Sequence, residues 1–489
     1  MKIVNPYENV DFNSARRVLS FSHEHTYDKV TNEKAYNRGV RCFASMHYMP
    51  CAPRFPLSSF SYEYQDWNYI DISSYSPTGG TGGTDIYTTV NARKKVPTSD
   101  GFRQQYLIIA YKESENARSY TKLTVNPNGE NWNNLCEDES KWVTLNEEEM
   151  EQQLSLCTRV IEGSVPTLTD SEGNTINTDD LPQIQNSSEH TLWKFSDNST
   201  LMGHFNVLGS SYAEPAWGVG IPQNFRIAHP IHTSDEINSI FLNPANQQFG
   251  KIYGTINHPN AGVRYIKKVL NIAPNVFKAM EVFNCGFNTS MNNEFLSMYD
   301  RILTDGYKIN LTAVVDWSIL VADERAKFPR GYNVLLHGAE YDNLPTNCFV
   351  KSSSPNYVYS KGEACLDAYI AGRYYASGRG VHYITDLTVS GRNVTISFDA
   401  NASVIKAITN KGKTETSGGS MSFTIPKGAT YLRFEAYWNE KPEGFDDMTE
   451  IQQEEYAKTG VMDFIFTNPM WIEDEDNTDL KQKMLLLII

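Results

Sequence analysis

The chain has 489 residues, more than one ordinary domain holds, so two or three domains are expected. It carries 43 lysine and arginine residues against 58 aspartate and glutamate residues, which gives a formal net charge of −15. This balance argues against a surface built mainly to bind nucleic acid or an anionic membrane, because both need clustered positive charge. With 40% hydrophobic and 12% aromatic residues, the composition predicts a globular protein with a large core and excludes global disorder.

The sequence carries no sign of membrane insertion or of secretion. No apolar run approaches the roughly 18–20 residues that a membrane helix needs, and the first residues lack the apolar stretch of a signal peptide. The seven cysteines are odd in number and form no C-x-x-C pair, which argues against a zinc ribbon and a dense disulfide scaffold. We therefore expect free thiols in a reducing compartment, as in a cytoplasmic protein.

The first 60 residues predict a strand, a helix and a second strand. The first strand covers residues 17–22, the short helix covers 32–37 and ends at Gly39, and the second strand covers 40–45. This order is a βαβ unit, which favours an α/β architecture with parallel strands.

Residues 61–180 have a different texture and are interpreted as an insertion. Within them, residues 77–83 are rich in glycine and predict a turn, while 106–111 and 119–125 predict strands. Residues 147–160 predict an acidic helix, whose acidic cluster is interpreted as a solvated face.

The strand-then-helix alternation returns between residues 185 and 330, with a predicted helix over 288–304 that Gly306 ends. From about residue 380 the pattern is β, beginning with a hairpin whose turn covers 390–392, and it predicts a small β-sandwich. The last six residues, 484–489, are all apolar but far too few to span a bilayer. We expect this tail to dock on the chain itself or on an assembly partner.

Side chains that can bind a metal ion accompany several predicted strands. His23 and His25 form a His-x-His pair after the first strand, and alternate residues of an extended segment share one face. The others follow a further strand or lie within one: His47, His258, Glu281 and Asp316. Because (β/α) barrels place their active sites at the carboxyl ends of the strands, the pattern predicts a metal site.

Six motifs follow one another in a fixed order along the chain. They are Ser22-His23-Glu24-His25-Thr26, the helix, Gly and strand over 36–47, Ser187-Ser188-Glu189-His190 followed by 203–209, Thr255-Ile256-Asn257-His258-Pro259, Glu281-Val282-Phe283-Asn284, and Tyr299-Asp300-Arg301-Ile302-Leu303 with Gly306 and Asp316. In order and spacing these motifs resemble the PHP (polymerase and histidinol phosphatase) family of metal-dependent phosphoesterases. The resemblance covers about 14–60 and 185–385, and the overall layout looks like phage-encoded members of the family.

The resemblance implies an α/β protein built as a distorted (β/α)7-type PHP barrel with an insertion and a C-terminal β-sandwich module. On this interpretation residues 1–60 and 181–385 form the barrel. Residues 61–180 form the insertion of mixed β structure and acidic helix, and residues 386–489 form the β-sandwich with its acidic tail.

Carried over by position, the resemblance implies six metal ligands: His23, His25, Glu189, His204, His258 and Asp316. It implies His47, His204 and Asp316 as the catalytic residues, with His47 as a ligand or a proton donor. Two or three divalent ions are implied, and the mixed imidazole and carboxylate ligands suit Mn, Zn or Fe. The last motif of the family is Asp-x-His, but this chain has Asp316-Trp317-Ser318. The missing histidine favours two ions or reduced activity.

The implied function is hydrolysis of a phosphomonoester or a phosphodiester by a metal-activated hydroxide. One alternative is a PHP-like scaffold with a degraded site that acts as a phage virion or surface-binding structural protein. Another is glycan recognition by the β-sandwich through Tyr437, Trp438 and Trp471, for which core packing is the plainer interpretation. The expected partner is a phosphate-ester substrate, with no membrane and no extended nucleic-acid surface.

Overall fold

The computed structural model describes residues 1–23, 35–43, 168–177, 181–182, 184, 200–210, 234–244, 247–259, 262–285, 289–315, 331–346, 355–439 and 463–473. It also describes the backbone of strands over residues 67–69, 87–98, 101–112, 120–121 and 190–194. These residues form open β-sheets with a small number of helices packed against them.

The strands of the described part are numbered along the chain. Those up to the middle of the chain are β1 Lys2–Val4, β2 Arg16–Phe21, β3 Cys42–Phe43, β4 Trp67–Tyr69, β5 Tyr87–Thr98, β6 Gly101–Lys112, β7 Tyr120–Thr121, β8 Leu168–Thr169, β9 Thr175–Ile176, β10 His190–Lys194 and β11 Thr200–Leu208. The remaining strands are β12 Tyr253–Asn257, β13 Phe277–Asn284, β14 Asn310–Val314, β15 Tyr332–His337, β16 Tyr374–Ser377, β17 Ile384–Ser390, β18 Asn393–Thr409, β19 Gly412–Thr424, β20 Tyr431–Trp438, β21 Asp463–Thr467 and β22 Met470–Glu473. The helices are α1 Ser234–Phe241, α2 Val263–Ile272, α3 Thr289–Thr304 and α4 Lys361–Ala371, with a 3-10 helix at Ala339–Asn343.

The larger sheet contains eleven strands and is almost wholly antiparallel. Its main path runs β1-β22-β20-β21-β16-β15-β2-β3, and β17, β18 and β19 join it through the pairing of β18 with β20. Among its described pairs, only β2 and β3 run parallel. The sheet therefore combines strands from both ends of the chain.

The second sheet has five strands in the order β10-β11-β12-β13-β14. The pairs β10–β11 and β11–β12 are antiparallel, whereas β12–β13 and β13–β14 are parallel. Helix α2 connects β12 to β13, and α3 connects β13 to β14. These two crossovers are the part of the fold that follows the strand-then-helix rhythm of the sequence.

The expected (β/α)7 barrel is wrong. Such a barrel needs a ring of parallel strands, but β15 runs antiparallel to both β2 and β16, and β11 runs antiparallel to β12. The described strands form open sheets and do not close into a barrel. The βαβ rhythm misleads because parallel units such as β12-α2-β13 also occur within open mixed sheets.

The expected separate C-terminal β-sandwich is also wrong. The region does consist of strands, but β20 and β21 pair into the sheet that contains β15 and β16. The C-terminal strands therefore extend the larger sheet and do not form a self-contained pair of sheets.

Several local predictions are confirmed. Residues 35–37 are helical, Gly39 follows with a φ of 90°, and β3 then pairs parallel to β2 as a βαβ unit requires. Helix α3 ends at Thr304, with Gly306 at a φ of 91°, and the β17–β18 hairpin turns at Gly391 with a φ of 60°. Within residues 61–180, β6 covers the predicted strand 106–111 and β7 covers residues 120–121 of the predicted strand 119–125, whereas the glycine-rich turn and the acidic helix lie outside the described residues.

The two main sheets share one apolar core. Helix α2 buries Tyr265, Ile266, Val269 and Leu270 against the five-stranded sheet. Phe464 and Phe466 of β21 belong to the same cluster, and the ring of Phe464 lies 4.6 Å from that of Phe283. Each large side chain buried in this way contributes about 1.5–3 kcal/mol, so the contact holds the sheets together.

A buried polar network ties the N-terminal residues to both sheets. The Tyr7 hydroxyl donates to the carbonyl of Tyr374 at 2.7 Å and accepts from the backbone N–H of Asn468 at 2.9 Å. The Asn468 side chain accepts from the N–H of Leu311 on β14 at 2.9 Å and donates to the carbonyl of Gly372 at 3.1 Å. These bonds satisfy backbone groups at the junction between the sheets.

The cysteines of the described part are free thiols, as expected. Cys42 and Cys365 are buried, and Cys285 is half-buried. The other four cysteines lie outside the described residues. None of the described helices is both long and apolar enough to cross a membrane.

Gly331, directly before β15, is required by both its backbone conformation and its surroundings. Its φ is 86°, and a Cβ there would lie 2.6 Å from the backbone N and O of Val314. Gly331→Ala is therefore expected to lower the free energy of unfolding by about 3 kcal/mol or more, since a left-handed conformation and a backbone clash add. Chemical denaturation measures this loss.

Gly306 supplies the matched control for Gly331. Its φ is 91°, but no atom lies within 4 Å of the added Cβ. Gly306→Ala should cost only the conformational term, about 1–2 kcal/mol. Equal losses in the two variants would contradict the close approach as the reason for Gly331.

Candidate metal centre

Three side chains from different strands converge at one edge of the five-stranded sheet. His23 lies just beyond the end of β2, His258 directly follows β12, and Glu281 lies within β13. One ligand atom from each lies within 4.8 Å of the others. His23 is 1% exposed, Glu281 is fully buried and the His258 side chain is 13% exposed, so the cluster opens to solvent through His258.

The carboxylate of Glu281 holds both histidines. Its Oε1 lies 2.6 Å from Nδ1 of His23. Its Oε2 accepts from the backbone N–H of His258 at 2.9 Å and lies 3.2 Å from Nδ1 of the same residue. The Asn284 amide nitrogen lies 3.1 Å from both Oε2 and His258 Nδ1, which closes the arrangement.

His258 has an unusual backbone conformation. Its φ of 41° makes it the sole non-glycine residue with positive φ in the described part of the chain. Such strain persists only where the surrounding structure enforces it, and it clusters at functional sites. Here the turn brings the backbone N–H and the imidazole of His258 to the same carboxylate oxygen.

The charge on Glu281 is set by competing effects. Burial raises the pKa of its carboxyl, but the imidazoles of His23 and His258 more than offset burial and hold this pKa below its usual value. The carboxylate is therefore ionised at neutral pH. A buried carboxylate between two imidazoles is an arrangement that attracts a cation.

Asparagine side chains fix the strands around the cluster. Asn257 on β12 donates to Asn206 Oδ1 on β11 at 2.7 Å, and Asn206 donates to the carbonyl of Ser22 at 3.4 Å. Asn284 and Asn292 exchange two bonds of 2.8 and 3.1 Å, which hold the start of α3 against the end of β13. The supporting groups are thus buried and hydrogen-bonded, as around a preorganised site.

His204 lies beside the cluster. It is a half-buried residue of β11, in register with Asn257 of β12. Its ring centroid is 5.2 Å from that of His258, and the two rings meet edge to face. The His23 and His258 rings stack, also with centroids 5.2 Å apart.

The structure therefore brings together His23 and His258 of the ligand set expected from the sequence, and it places His204 next to them. The other expected site residues lie outside the described residues: His25, His47, Glu189 and Asp316. Strand β14, which precedes Asp316, ends with Val314 in register with Asn284. The chain thus enters the Asp316 segment at the same edge of the sheet.

Glu281 is the residue that the expected ligand set omits. Glu281 is a ligand-type residue, but the resemblance implies Glu189 and Asp316 as the carboxylate ligands. The available signal is its place in the otherwise apolar run 279–283, because a carboxylate inside a buried strand requires polar partners.

The donor set fits a divalent transition metal. Imidazole ligands supported by a buried carboxylate suit Zn, Mn and Fe, whereas Ca sites are built from oxygen ligands. The carboxylate also meets the usual requirement for a partner that orients a ligating imidazole through its other nitrogen.

Comparison of the chain with family models, with curated proteins and with solved structures finds no match. The case for a function rests on the geometry of this cluster and on the motifs that supply it.

Trp438, named for the glycan alternative, is 1% exposed and stacks against His382 at 4.3 Å between ring centroids. Its role is core packing, so it offers no face to a sugar ring.

Proposed function

We propose that the chain is a metal-dependent phosphoesterase that hydrolyses a phosphomonoester or a phosphodiester. The observation that carries the proposal is the convergence of His23, His258 and Glu281 at the edge of the five-stranded sheet. The order of the sequence motifs around these residues supports phosphoester chemistry over other metal-dependent reactions.

The ions are Mn, Zn or Fe, and the number proposed is two. His23 and His258 bind through imidazole nitrogen, with His204 beside them, and the motif segments of His25, Glu189 and Asp316 contribute the remaining ligands. When bound, divalent ions supply Lewis acidity toward phosphoryl oxygens and lower the pKa of water.

Glu281 and His204 perform different tasks in this proposal. Glu281 accepts a hydrogen bond from the Nδ1–H group of His23. This bond fixes the tautomer of the ring and leaves Nε2 as the nitrogen that would bind the ion. His204 is half-buried beside His258, where its imidazole donates a proton to the leaving-group oxygen of the substrate. His47 is the second candidate for this proton transfer.

A specific observation favours a rival, in which the chain is a structural or virion protein and the cluster is a metal-free polar network. Both oxygens of Glu281 already accept hydrogen bonds from protein groups. A carboxylate satisfied in this way stabilises its strand without any ion. The rival therefore predicts a fully stable protein that binds no metal.

The decisive experiment measures metal content and phosphatase activity together. The purified chain is expected to carry about two equivalents of transition metal, as two-metal hydrolases do, and to hydrolyse p-nitrophenyl phosphate or its bis-ester. His23→Ala is expected to lose both the metal and the activity, because it removes a buried ligand. Elemental analysis by mass spectrometry and release of nitrophenolate provide the measurements.

His382→Ala is the matched control. His382 is also largely buried, and it pairs with Asp399 at 3.3 Å on the larger sheet, away from the cluster. It should keep both metal and activity. A metal-free chain whose stability does not respond to added Zn²⁺ or Mn²⁺ would favour the structural rival, and bound metal without hydrolysis of either ester would reject the phosphoesterase.

A further inference from the structure

A cleft of roughly 680 Å³ lies between helices α2 and α3, outside the His and Glu cluster. Four cationic side chains line it: Arg264, Lys267 and Lys268 from α2 and Arg301 from the last turn of α3. These α2 residues lie on the helix face opposite the buried residues that pack on the sheet. The cleft is thus a surface feature and not part of the core.

The concentration of positive charge stands out in a chain whose net charge is −15. Lys267 forms an ion pair with Asp305. Arg264 and Arg301 are exposed, and neither forms an ion pair or a side-chain hydrogen bond with the residues that the structure describes. Two guanidinium groups on facing helices therefore remain available to an anion.

The backbone at the mouth of the cleft adds further donors. Helix α2 begins after Gly262 without a side-chain cap and with no acidic residue in its first turn. Its first N–H groups and the positive end of its dipole therefore lie at the cleft, and the described residues that line the cleft include no carboxylate.

The spacing of the donors suits more than one anionic group. Arg264, Lys267, Lys268 and Asn271 follow the i, i+3, i+4, i+7 pattern of one helix face, which spans about 10 Å at 1.5 Å per residue. At the far end, the Tyr307 hydroxyl donates to Asn271 Oδ1 at 3.2 Å, so the amide oxygen is occupied and the amide nitrogen is the group left to donate.

We propose that this cleft binds a ligand that carries two or more phosphate groups, such as an oligophosphate or a single-stranded nucleic acid. Guanidinium forks and helix N–H groups match the tetrahedral oxygens of phosphate, and their spread along α2 matches consecutive phosphates rather than one. None of the residues that line the cleft belongs to the cluster of His23, His258 and Glu281.

Binding of sodium tripolyphosphate and of a short fluorescein-labelled single-stranded oligonucleotide tests the proposal. Calorimetry and fluorescence anisotropy are run on the full chain in EDTA, so that no metal ion contributes. Arg264→Gln/Arg301→Gln is expected to weaken binding at least about tenfold, because two charge-assisted contacts are lost. For the single-stranded oligonucleotide, the slope of log affinity against log salt should also fall in magnitude by about 1.4, since each lost phosphate contact contributes about 0.7.

The matched control is Lys411→Gln/Lys413→Gln, which removes the same charge from exposed positions at the β18–β19 turn. It should change affinity by less than about twofold. Because all four positions are exposed, folding is expected to be unaffected, and Arg264→Gln alone gives a partial loss if the double variant is unstable.

Comparing the two ligands distinguishes a small oligophosphate from a nucleic-acid strand. Binding of tripolyphosphate but not of the oligonucleotide assigns a small oligophosphate, and binding of both assigns a phosphodiester strand as well. Equal losses in the cleft and control variants overturn the site. Inorganic phosphate or an oligoglutamate peptide that binds as tightly as tripolyphosphate overturns the requirement for consecutive phosphates.

Discussion

Replacing Glu281 by glutamine is expected to lower metal affinity about 10- to 100-fold and to remove most hydrolytic activity, although the side chain keeps its shape. The carboxylate oxygens face three donors, from His23, the His258 backbone and Asn284. An amide in the same place turns an N–H₂ group toward one of these donors. The His23 ring then loses the partner that orients it.

The same substitution should destabilise the metal-free protein by about 1–3 kcal/mol, since a buried donor is left without an acceptor. Competition with a chromogenic chelator measures the affinity, and chemical denaturation in EDTA measures the stability. Glu363→Gln is the control, because Glu363 is a buried carboxylate paired with Lys251 at 2.7 Å on another part of the fold. Wild-type metal affinity in Glu281→Gln would exclude the orienting role.

Arg433→Met is expected to lower the free energy of unfolding by about 3–5 kcal/mol, the usual cost of breaking a buried ion pair on one side. The Arg433 guanidinium is fully buried on β20. It contacts Asp300 of α3 at 2.7 Å and Glu435 of its own strand at 2.7 Å. Removing it leaves two carboxylates without their shared cation, and it breaks a link between the two sheets.

The loss in Arg433→Met should depend on pH. In the native protein, burial raises the pKa of Glu435, but Arg433, with the Tyr437 hydroxyl and Lys406, holds this pKa below its usual value, so the stabilisation is present at neutral pH and is lost in acid. Without Arg433 the largest of these attractions is lost while burial remains, so the pKa of Glu435 rises, and protonation of Glu435 relieves part of the cost of burying its charge. The gap between native and variant stability therefore narrows below about pH 4–5.

Denaturation of both proteins across this pH range checks the sign. The double substitution Arg433→Met with Glu435→Gln should recover part of the loss, because it removes an uncompensated charge. A loss that is independent of pH, with no recovery in the double variant, would assign Arg433 to apolar packing alone.

Local elements could be predicted from the sequence because their signals are local. The end of α3 and the turn of the β17–β18 hairpin each depend on a single glycine. Gly306 and Gly391 adopt positive φ values, which end the helix and form the turn. The strand before His258 is likewise a short apolar run that a histidine follows. Element type and position follow from such patterns.

The arrangement of the sheets could not be predicted in the same way. Strand β15 lies between β2 and β16 and runs antiparallel to both. Val334 of β15 pairs with Leu19 of β2, more than 300 positions earlier in the chain. Periodicity reports which face of a strand is buried but gives neither its neighbours nor its direction. The barrel expectation extends to every strand the parallel direction that holds for the pairs β2–β3, β12–β13 and β13–β14.

The candidate site was predictable in part. His23 and His258 stand out because they follow strands, whereas the signal of Glu281 is its place inside the apolar strand β13. Arg433 within β20 gives the same kind of signal, a charge in a strand whose burial demands partners. Buried charges inside apolar strands are therefore the feature that most improves such a prediction.

The pairing of Lys2 with Glu473 has a consequence for how the protein is made. Strand β1 finds its partner only after some 470 further residues have been synthesised, which takes roughly half a minute or longer at 5–20 residues per second. Until then the larger sheet lacks an edge, and the Tyr7 hydroxyl lacks Asn468. Such a pairing can form only when synthesis has reached residue 473, and folds that depend on contacts between distant residues form slowly.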